Sequence, residues 1–292
     1  MAVHYLLSSP RRDMELWLTE TYGPIRGGWK AGGVLYSKQS KYQLVEIVET
    51  ERWGKTLVLD GCMMTTEKDE FVYHEMLTHP AMVSHPAPKS VCVVGGGDGG
   101  TVREVLRHPG VERVVLAEID GDVIDVCRKY FPNHTSKLDD PRVDIQVGDG
   151  FEYLKNHEGE FDVILSDSTD PIGPGEVLFT QEYFGLTKRA LKAGGVLVTQ
   201  SHSPWDPDSK LRTIRDVLLQ NYSQAHWYGA VIPTYPYGWW SFFFASDSVH
   251  PIEAASLERM QEITQSSKYY TPAVHEAAFA VPAFLARELG VA

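Results

Sequence analysis

The stretch Val91-Cys92-Val93-Val94-Gly95-Gly96-Gly97-Asp98-Gly99-Gly100 runs from an apolar, β-branched segment into a turn with five glycines in six positions. Thr101-Val102-Arg103-Glu104-Val105-Leu106 follows with helical patterning. A strand that turns through glycines into a helix lets the backbone fold sharply and approach a ligand closely. A strand-to-helix turn without a ligand has no need of so many glycines. Asp98 would set a negative charge where a diphosphate must lie, so NAD and FAD are disfavoured.

Outward from this stretch the pattern repeats. Strand-like runs at 90–94, 113–118, 143–147, 161–166 and 195–199 alternate with helical segments near 99–107, 121–130, 149–156, 180–192 and 207–220. Such alternation implies βαβ units and a parallel sheet covered by helices on both faces. Two late β-rich runs, 226–232 and 240–245, are expected to add antiparallel edge strands, and the tail 273–289 reads as helix. Before residue 66 the chain reads as β: runs at 33–37, 42–48 and 56–61 alternate in polarity around a turn at 52–55. Thr66 is expected to cap a helix with acids in its first turn, ended by Pro80 and Pro86. The expected fold class is α/β: a small N-terminal antiparallel β domain, 1–65, and a doubly wound Rossmann-like domain of the methyltransferase type, 66–292.

Bulk composition narrows the partners. The 292 residues are 43% hydrophobic and 23% charged, enough for a full core without low-complexity sequence. Lys and Arg number 27 against 39 Asp and Glu, a formal charge of −12 that repels nucleic acid and anionic lipid and attracts small cations. Solubility alone would also explain an acidic balance. Cys62, Cys92 and Cys127 lack metal-ligand or disulfide spacing, and no run approaches the ~18 apolar residues of a membrane span. A cytoplasmic protein is expected, with no nucleic-acid or membrane partner.

The acids at strand ends carry the chemistry. Glu118, ending the second strand twenty residues past Asp98, is placed to accept hydrogen bonds from ribose hydroxyls, while Asp120 reads as a helix cap. Asp149, in Val147-Gly148-Asp149-Gly150, suits an adenine amino group or caps the next helix. Phe161-Asp162-Val163-Ile164-Leu165-Ser166-Asp167 ends in an acid, and Asp170 follows before Pro171, Gly173, Pro174 and Gly175 exclude regular structure. Two acids so placed suit a cation or a proton. Two acids could also chelate magnesium, but no phosphate is implied that would bridge to it. The combination points to a nucleoside without phosphate, S-adenosylmethionine or a relative. The carboxylate of ordinary S-adenosylmethionine would be repelled by Asp98, whereas the aminopropyl ammonium of the decarboxylated form would pair with it.

These blocks, with Tyr42-Gln43, Leu59-Asp60-Gly61, Asp69-Glu70-Phe71, Tyr73-His74-Glu75-Met76, Asp167-Ser168-Thr169-Asp170-Pro171, Ile232-Pro233-Thr234-Tyr235-Pro236 and Tyr269-Tyr270, resemble the spermidine synthase (polyamine aminopropyltransferase) family over nearly the whole chain. The resemblance implies transfer of an aminopropyl group from decarboxylated S-adenosylmethionine, a co-substrate rather than a cofactor, to putrescine. It places Gln43, His74, Asp98, Glu118, Asp149 and Gly150 at the nucleoside, with Pro174 in a loop that covers it. It makes Asp167 the base, with Tyr73 and Asp170 completing the catalytic set. Tyr73, Asp167, Asp170, Tyr235 and His74 would meet the amine. A homodimer or homotetramer without bound metal is implied.

Pro236-Tyr237-Gly238-Trp239-Trp240 and Ser201-His202-Ser203-Pro204-Trp205 depart from many relatives. Both are expected near the far end of the amine pocket, which leaves cadaverine, agmatine or spermidine open as acceptors. A methyltransferase on the same fold and a catalytically dead polyamine sensor are the rival readings. His79 and His85, beside prolines, read as structural or exposed.

Overall fold

The computed structural model describes residues 15–22, 25–169, 173–206 and 208–291, with the side chains of Pro174 and Glu176 excepted. Among these residues, five strands form an antiparallel sheet in sequence order: β1 (Leu16–Tyr22), β2 (Ile25–Gln39), β3 (Leu44–Thr50), β4 (Gly54–Leu59) and β5 (Cys62–Thr66). The alternation read at 33–48 belongs to β2 and β3. The flanking strands β1 and β5 sit outside the runs read from sequence.

The first helix, α1, spans Glu70–Ser84. Thr66 is not its cap: it ends β5, and its hydroxyl donates to Asp69 Oδ1 at 2.6 Å in the turn before the helix. Nor does Pro80 end the helix. Proline has no N–H to give to the carbonyl of residue 76, and the hydroxyl of Tyr228 donates to Met76 O instead, at 2.8 Å. With that carbonyl satisfied, α1 continues four residues past the proline.

The larger sheet then forms from β6 (Ser90–Gly95), α2 (Gly100–Val105), β7 (Arg113–Glu118), α3 (Gly121–Tyr130), β8 (Val143–Val147), α4 (Gly150–Lys155), β9 (Phe161–Asp167), α5 (Gln181–Ala190), β10 (Leu191–Gln200), α6 (Leu211–Leu219), β11 (Gln224–Val231) and β12 (Trp239–Ser246). Its strand order is β11-β12-β10-β9-β6-β7-β8. Strands β6 to β10 are mutually parallel, and β12 and β11 extend the sheet antiparallel at one side, as expected from sequence.

Alternation along these strands sends successive side chains to opposite layers. Val91, Val93, Leu116 and Leu165 pack with Met76 and Leu77 of α1 and with Val102 and Val105 of α2. Cys92, Val94, Val115 and Ile164 face the other way, onto Tyr183 and Phe184 of α5 and Leu211 and Leu218 of α6. Both faces being covered, the strands read as continuous apolar runs. The smaller sheet docks through Val45, Ile47, Leu57 and Leu59 against Val126, Cys127 and Phe131 in and just beyond α3.

The tail differs from its reading. α7 (Leu257–Thr264) is followed by two short helices, α8 (Pro272–Ala278) and α9 (Ala283–Leu289), rather than one. Pro282 caps the second: it cannot donate to residue 278, and its ψ of 150 is extended. No helix among the described residues is long and apolar enough to cross a membrane.

Candidate active site

Parallel strands bring their carboxyl ends to one edge, and the pairings Gly95↔Asp167 and Glu118↔Val147 align the acids there. A cavity of about 270 Å³ opens at this edge. Its floor is the turn Gly95–Asp98, its sides carry Glu118, Asp149 and Asp167, and the smaller sheet supplies Gln43, Leu57 and Met64 as its roof.

The glycine turn has a steric cause. Gly96 has a φ of +72°, and a Cβ on it would lie 2.6 Å from Asp167 Oδ2. Any side chain at this position would displace that carboxylate. Gly100 gives a similar clearance to the imidazole of His74, which lies against its α-carbon.

Asp167 is held at both oxygens: the Tyr73 hydroxyl donates to Oδ1 at 2.8 Å and the Thr101 hydroxyl to Oδ2 at 2.6 Å. Burial raises its pKa, the charge of Asp98 adds to the rise, and His74 with the two hydroxyls opposes it; the net shift is upward. Asp98 goes the other way. Burial again pushes it up, but His74 and the Gly100 N–H, which donates to Oδ1 at 2.7 Å, hold it below the usual carboxylate value.

His74 is not on the cavity wall, where it was expected to meet both substrates. It lies buried behind Asp98, with Nε2 3.3 Å from Asp98 Oδ1 and Nδ1 2.5 Å from Glu70 Oε2. Arg103 donates to the same Glu70 oxygen at 2.8 Å. Burial disfavours the imidazolium, but carboxylates at both nitrogens override it and raise the His74 pKa well above its ordinary value. The i, i+4 spacing of Glu70 and His74 on α1 was legible; the depth at which the pair sits was not.

Glu118 Oε2 accepts from the Gly97 N–H at 3.0 Å and Oε1 from the Asp120 N–H at 2.8 Å. Burial, only partly offset by these bonds, pushes its pKa up to about 7. Asp120 caps α3, as read, and its Oδ2 also accepts from Ser40 Oγ at 2.7 Å and Gln43 Nε2 at 3.2 Å. That tie fixes Gln43 over the cavity. Asp149 caps α4 through the Phe151 N–H at 2.8 Å and still lines the cavity beside Gly150. The two roles weighed for it are compatible.

Tyr235 donates to Met64 O at 2.6 Å, and its ring lies 5.7 Å from that of Tyr73. These two tyrosines, with Met64, Ser168 and Thr169, also line a second chamber of about 30 Å³ that continues to Glu20, Tyr22, Pro236 and Trp240. Trp240 Nε1 donates to Gln200 Oε1 at 3.1 Å, while Gln200 Nε2 donates to Ser168 O and Thr169 O, so this wall is tied to the start of the Asp170 loop.

Of the residues expected there, Pro236 and Trp240 arrive, whereas Trp239, Tyr237 and Trp205 line neither chamber. Trp239 packs edge-on against Trp227 with centroids 5.6 Å apart, and Trp205 stacks on Phe284 of α9 at 4.7 Å. The break before α9 is what makes Phe284 available. His79 and His85 are buried, His79 Nδ1 lying 3.1 Å from His108 Nε2.

Asp170 lies outside the described residues. Contrary to the expectation that its prolines and glycines exclude regular structure, the chain forms a 3-10 segment over Gly173–Phe179, which holds Pro174 and whose Gly175, Val177 and Leu178 line the cavity. Sequence reading missed Thr101, Glu20, Tyr22, Cys62 and Met64. Alternation in Leu16-Trp17-Leu18-Thr19-Glu20-Thr21-Tyr22 would have put Glu20 and Tyr22 on one side of a strand.

Residues 70–256 match the family model described as the spermine/spermidine synthase domain. The chain belongs to the spermidine synthase family. Residues 16–67 match a second model, the spermidine synthase tetramerisation domain, which covers the smaller sheet. Similar curated proteins are the polyamine aminopropyltransferases of Bacillus mycoides (strain KBAB4), 45% identical over 93% of this chain and 98% of that one, and of Bacillus subtilis (strain 168), 43% identical over the same shares. Among solved structures, a spermidine synthase in complex with the transition-state analogue AdoDATO superposes with a TM-score of 0.93 at 41% identity, covering 99% of each chain. Spermidine synthase from Thermotoga maritima superposes at 0.91 with 40% identity, covering 99% of this chain and 98% of that one. The enzyme is therefore a polyamine aminopropyltransferase.

Proposed function

We propose that this aminopropyltransferase uses decarboxylated S-adenosylmethionine as donor and putrescine as acceptor, releasing spermidine and 5′-methylthioadenosine. The observation that carries the reading is a pair of adjoining cavities that share Met64, Tyr73, Ser168, Thr169 and Tyr235 as walls, the larger lined by Glu118, Asp98 and Asp167 and the smaller by Glu20. Glu118 and Gln43 hold the ribose, Asp149 and Gly150 the adenine, and the segment from Pro174 closes over the nucleoside. Asp98 receives the ammonium of the aminopropyl arm. An acid at this point accepts a donor whose arm ends in a cation and repels one that also carries a carboxylate. The second chamber, narrow and walled by Tyr73, Tyr235 and Trp240, suits a thin aliphatic diamine whose far ammonium faces Glu20.

Chemistry follows from where charge moves. A protonated amine has no lone pair, so one nitrogen first gives its proton to Asp167, directly or through water, with Asp170 holding the amine. That nitrogen attacks the methylene carbon bonded to the sulfonium. The C–N bond forms, the C–S electron pair goes to sulfur, and methylthioadenosine leaves as a neutral thioether. Positive charge thus migrates from sulfur to nitrogen, so the carboxylate that holds the amine, and Asp167 once its proton has passed on to water, stabilise the transition state more than the neutral amine. General-base help of this kind contributes roughly 10²–10⁴-fold. A neutral leaving group needs no Lewis acid, and the reaction needs no cofactor.

The family model for residues 16–67 supports assembly into a homodimer or homotetramer through the smaller sheet. Ile25, Val34 and Leu35 on β2 are exposed and supply apolar surface for it. We place the enzyme in the cytoplasm, where three free cysteines stay reduced.

The deciding experiment incubates the enzyme with each nucleoside and with putrescine, cadaverine, agmatine and spermidine, resolving products by chromatography. Putrescine with the decarboxylated donor is expected to give spermidine fastest. Preference for a longer amine would reassign the acceptor, and a methylated product from intact S-adenosylmethionine would reassign the donor. Asp167→Asn is expected to leave nucleoside affinity within twofold and to cut turnover by at least ~10²-fold. Undiminished turnover would remove Asp167 from the mechanism.

A further inference from the structure

We propose that Thr101 is a positioning residue of the transfer reaction, holding the Asp167 carboxylate ionised and in one rotamer through a hydrogen bond to Oδ2. The inference rests on Asp167 being the base. Three observations converge on that oxygen. Thr101 Oγ1 lies 2.6 Å from it, the short distance of a hydroxyl donating to a charged acceptor. Thr101 is fully buried, so no water competes for its proton. Gly96 backs the same oxygen so closely that a Cβ there would reach it at 2.6 Å. Oδ2 is thus clamped between a hydroxyl and bare backbone. Oδ1 meets the Tyr73 hydroxyl at 2.8 Å, on the side of the two tyrosines that line the second chamber.

The two hydroxyls come from separate elements, Tyr73 from α1 and Thr101 from the first turn of α2. A carboxylate with one donor on each oxygen has its plane fixed, whereas one donor leaves rotation about the Cβ–Cγ bond open. Orientation matters because the carboxylate must take the proton while the amine is held with its freed lone pair on the line to the methylene carbon.

Ionisation matters as much. Among the described residues, the charged and titratable groups facing Asp167 are Asp98 in the glycine turn, Glu118 at the end of β7, and His74 and Tyr73 on α1. Burial and the two acids favour the protonated carboxyl, and a protonated carboxyl accepts no proton from an amine. His74, Tyr73 and Thr101 oppose them. Of these, Thr101 bonds only to the carboxylate among the contacts the structure gives its hydroxyl, so its removal perturbs little else.

The test compares Thr101→Val, which keeps shape and loses the hydroxyl, with Thr101→Ser, which keeps the hydroxyl. The readout is the acid-side break in log kcat/KM for the diamine against pH. Ionisation of the amine itself is common to all the enzymes, so displacement of the break belongs to the protein. A lost hydrogen bond to the charged form is expected to move the break up by about one pH unit in Thr101→Val, with Thr101→Ser returning it to the parent position. Below the break, kcat/KM of Thr101→Val then falls roughly tenfold, while well above it the loss stays within a few-fold. If melting curves show Thr101→Val to be unfolded, Thr101→Ala replaces it with the same expectation. A break that stays in place, or a loss equal at every pH, overturns the proposal. Asp167→Asn run in parallel separates the two ideas: if it retains full turnover the base assignment fails, whatever Thr101 does.

Discussion

At the scale of single residues, the site is a set of carboxylates pushed apart in acidity by what surrounds them. Among the described residues Glu118 has two backbone N–H partners, which only partly offset its burial, and it is carried up to about 7. Ribose hydroxyls donate best to the ionised form, so nucleoside affinity is expected to strengthen as pH rises through 7. Calorimetry with methylthioadenosine, itself uncharged, should give a Kd about tenfold weaker at pH 6 than at pH 8. Glu118→Gln should bind more weakly and lose most of that pH dependence. A parent affinity flat across this range would mean that Glu118 does not meet the ribose. Glu118 and Asp167 were legible in sequence because each ends a strand-like run, and Asp98 because it stands among the glycines that follow one. Thr101 was not: its partner is 66 residues away, and only strand pairing brings the two together. His74 shows the reverse failure. Its sequence neighbour Tyr73 lines the cavity, yet the turn of α1 puts His74 behind Asp98 rather than on the wall.

At the scale of elements, α1 carries the strongest coupling. Glu70, His74 and Arg103 form a buried chain ending on Asp98, and Glu70 is held far below its ordinary carboxylate value: burial pushes it up, but His74 and Arg103 prevail. Removing one member of a buried ion pair strands the others, at about 3–5 kcal/mol. Glu70→Gln should therefore lower unfolding stability near neutral pH by roughly that amount. A depressed acid contributes stability that is present above its unfolded pKa of 4.5 and fades as pH falls through its folded value. The deficit of Glu70→Gln should accordingly shrink as the medium is acidified below 4.5, and denaturant titrations at pH 7 and pH 4 would measure it. His74 has the opposite sign: its raised pKa stabilises fully below 6.5, and the effect is lost only as pH passes the folded value. The same helix contains Pro80, read as a terminator because the rule for proline is local. The Tyr228 hydroxyl that satisfies Met76 O arrives from β11, 152 residues away. Tyr228→Phe leaves that buried carbonyl unpaired and is expected to cost about 1–3 kcal/mol, measured by the same titrations. A neutral outcome would mean that water or a helix rearrangement satisfies the carbonyl. The parallel strands were readable because both faces are covered; β5, with five residues, offers little alternation, and β1 went unread although it is as long as β3. The tail was read as continuous because its helical pattern spans the break at Pro282.

For the whole molecule, the formal charge of −12 and the acids along the cavity act together on cationic substrates. Putrescine and the decarboxylated donor both carry positive charge, and methylthioadenosine carries none. Long-range attraction is screened with a Debye length of about 10 Å at 0.1 M salt, whereas pairs within a narrow chamber are screened far less. Encounter should therefore depend on salt more than chemistry does. Raising ionic strength from about 20 to 300 mM is expected to lower kcat/KM for the diamine several-fold, with kcat changed by less than twofold. Methylthioadenosine affinity measured over the same range supplies the control, since a neutral nucleoside feels no steering. Charge reversal at exposed Glu112 or Glu158, near the amino ends of β7 and β9 and so on the edge opposite the cavity, would lower the encounter rate slightly and leave kcat alone. Equal salt sensitivity for the neutral nucleoside would show that salt acts on the fold or the assembly instead. The acidic balance that first looked like ordinary solubility would then have no part in selecting an amine.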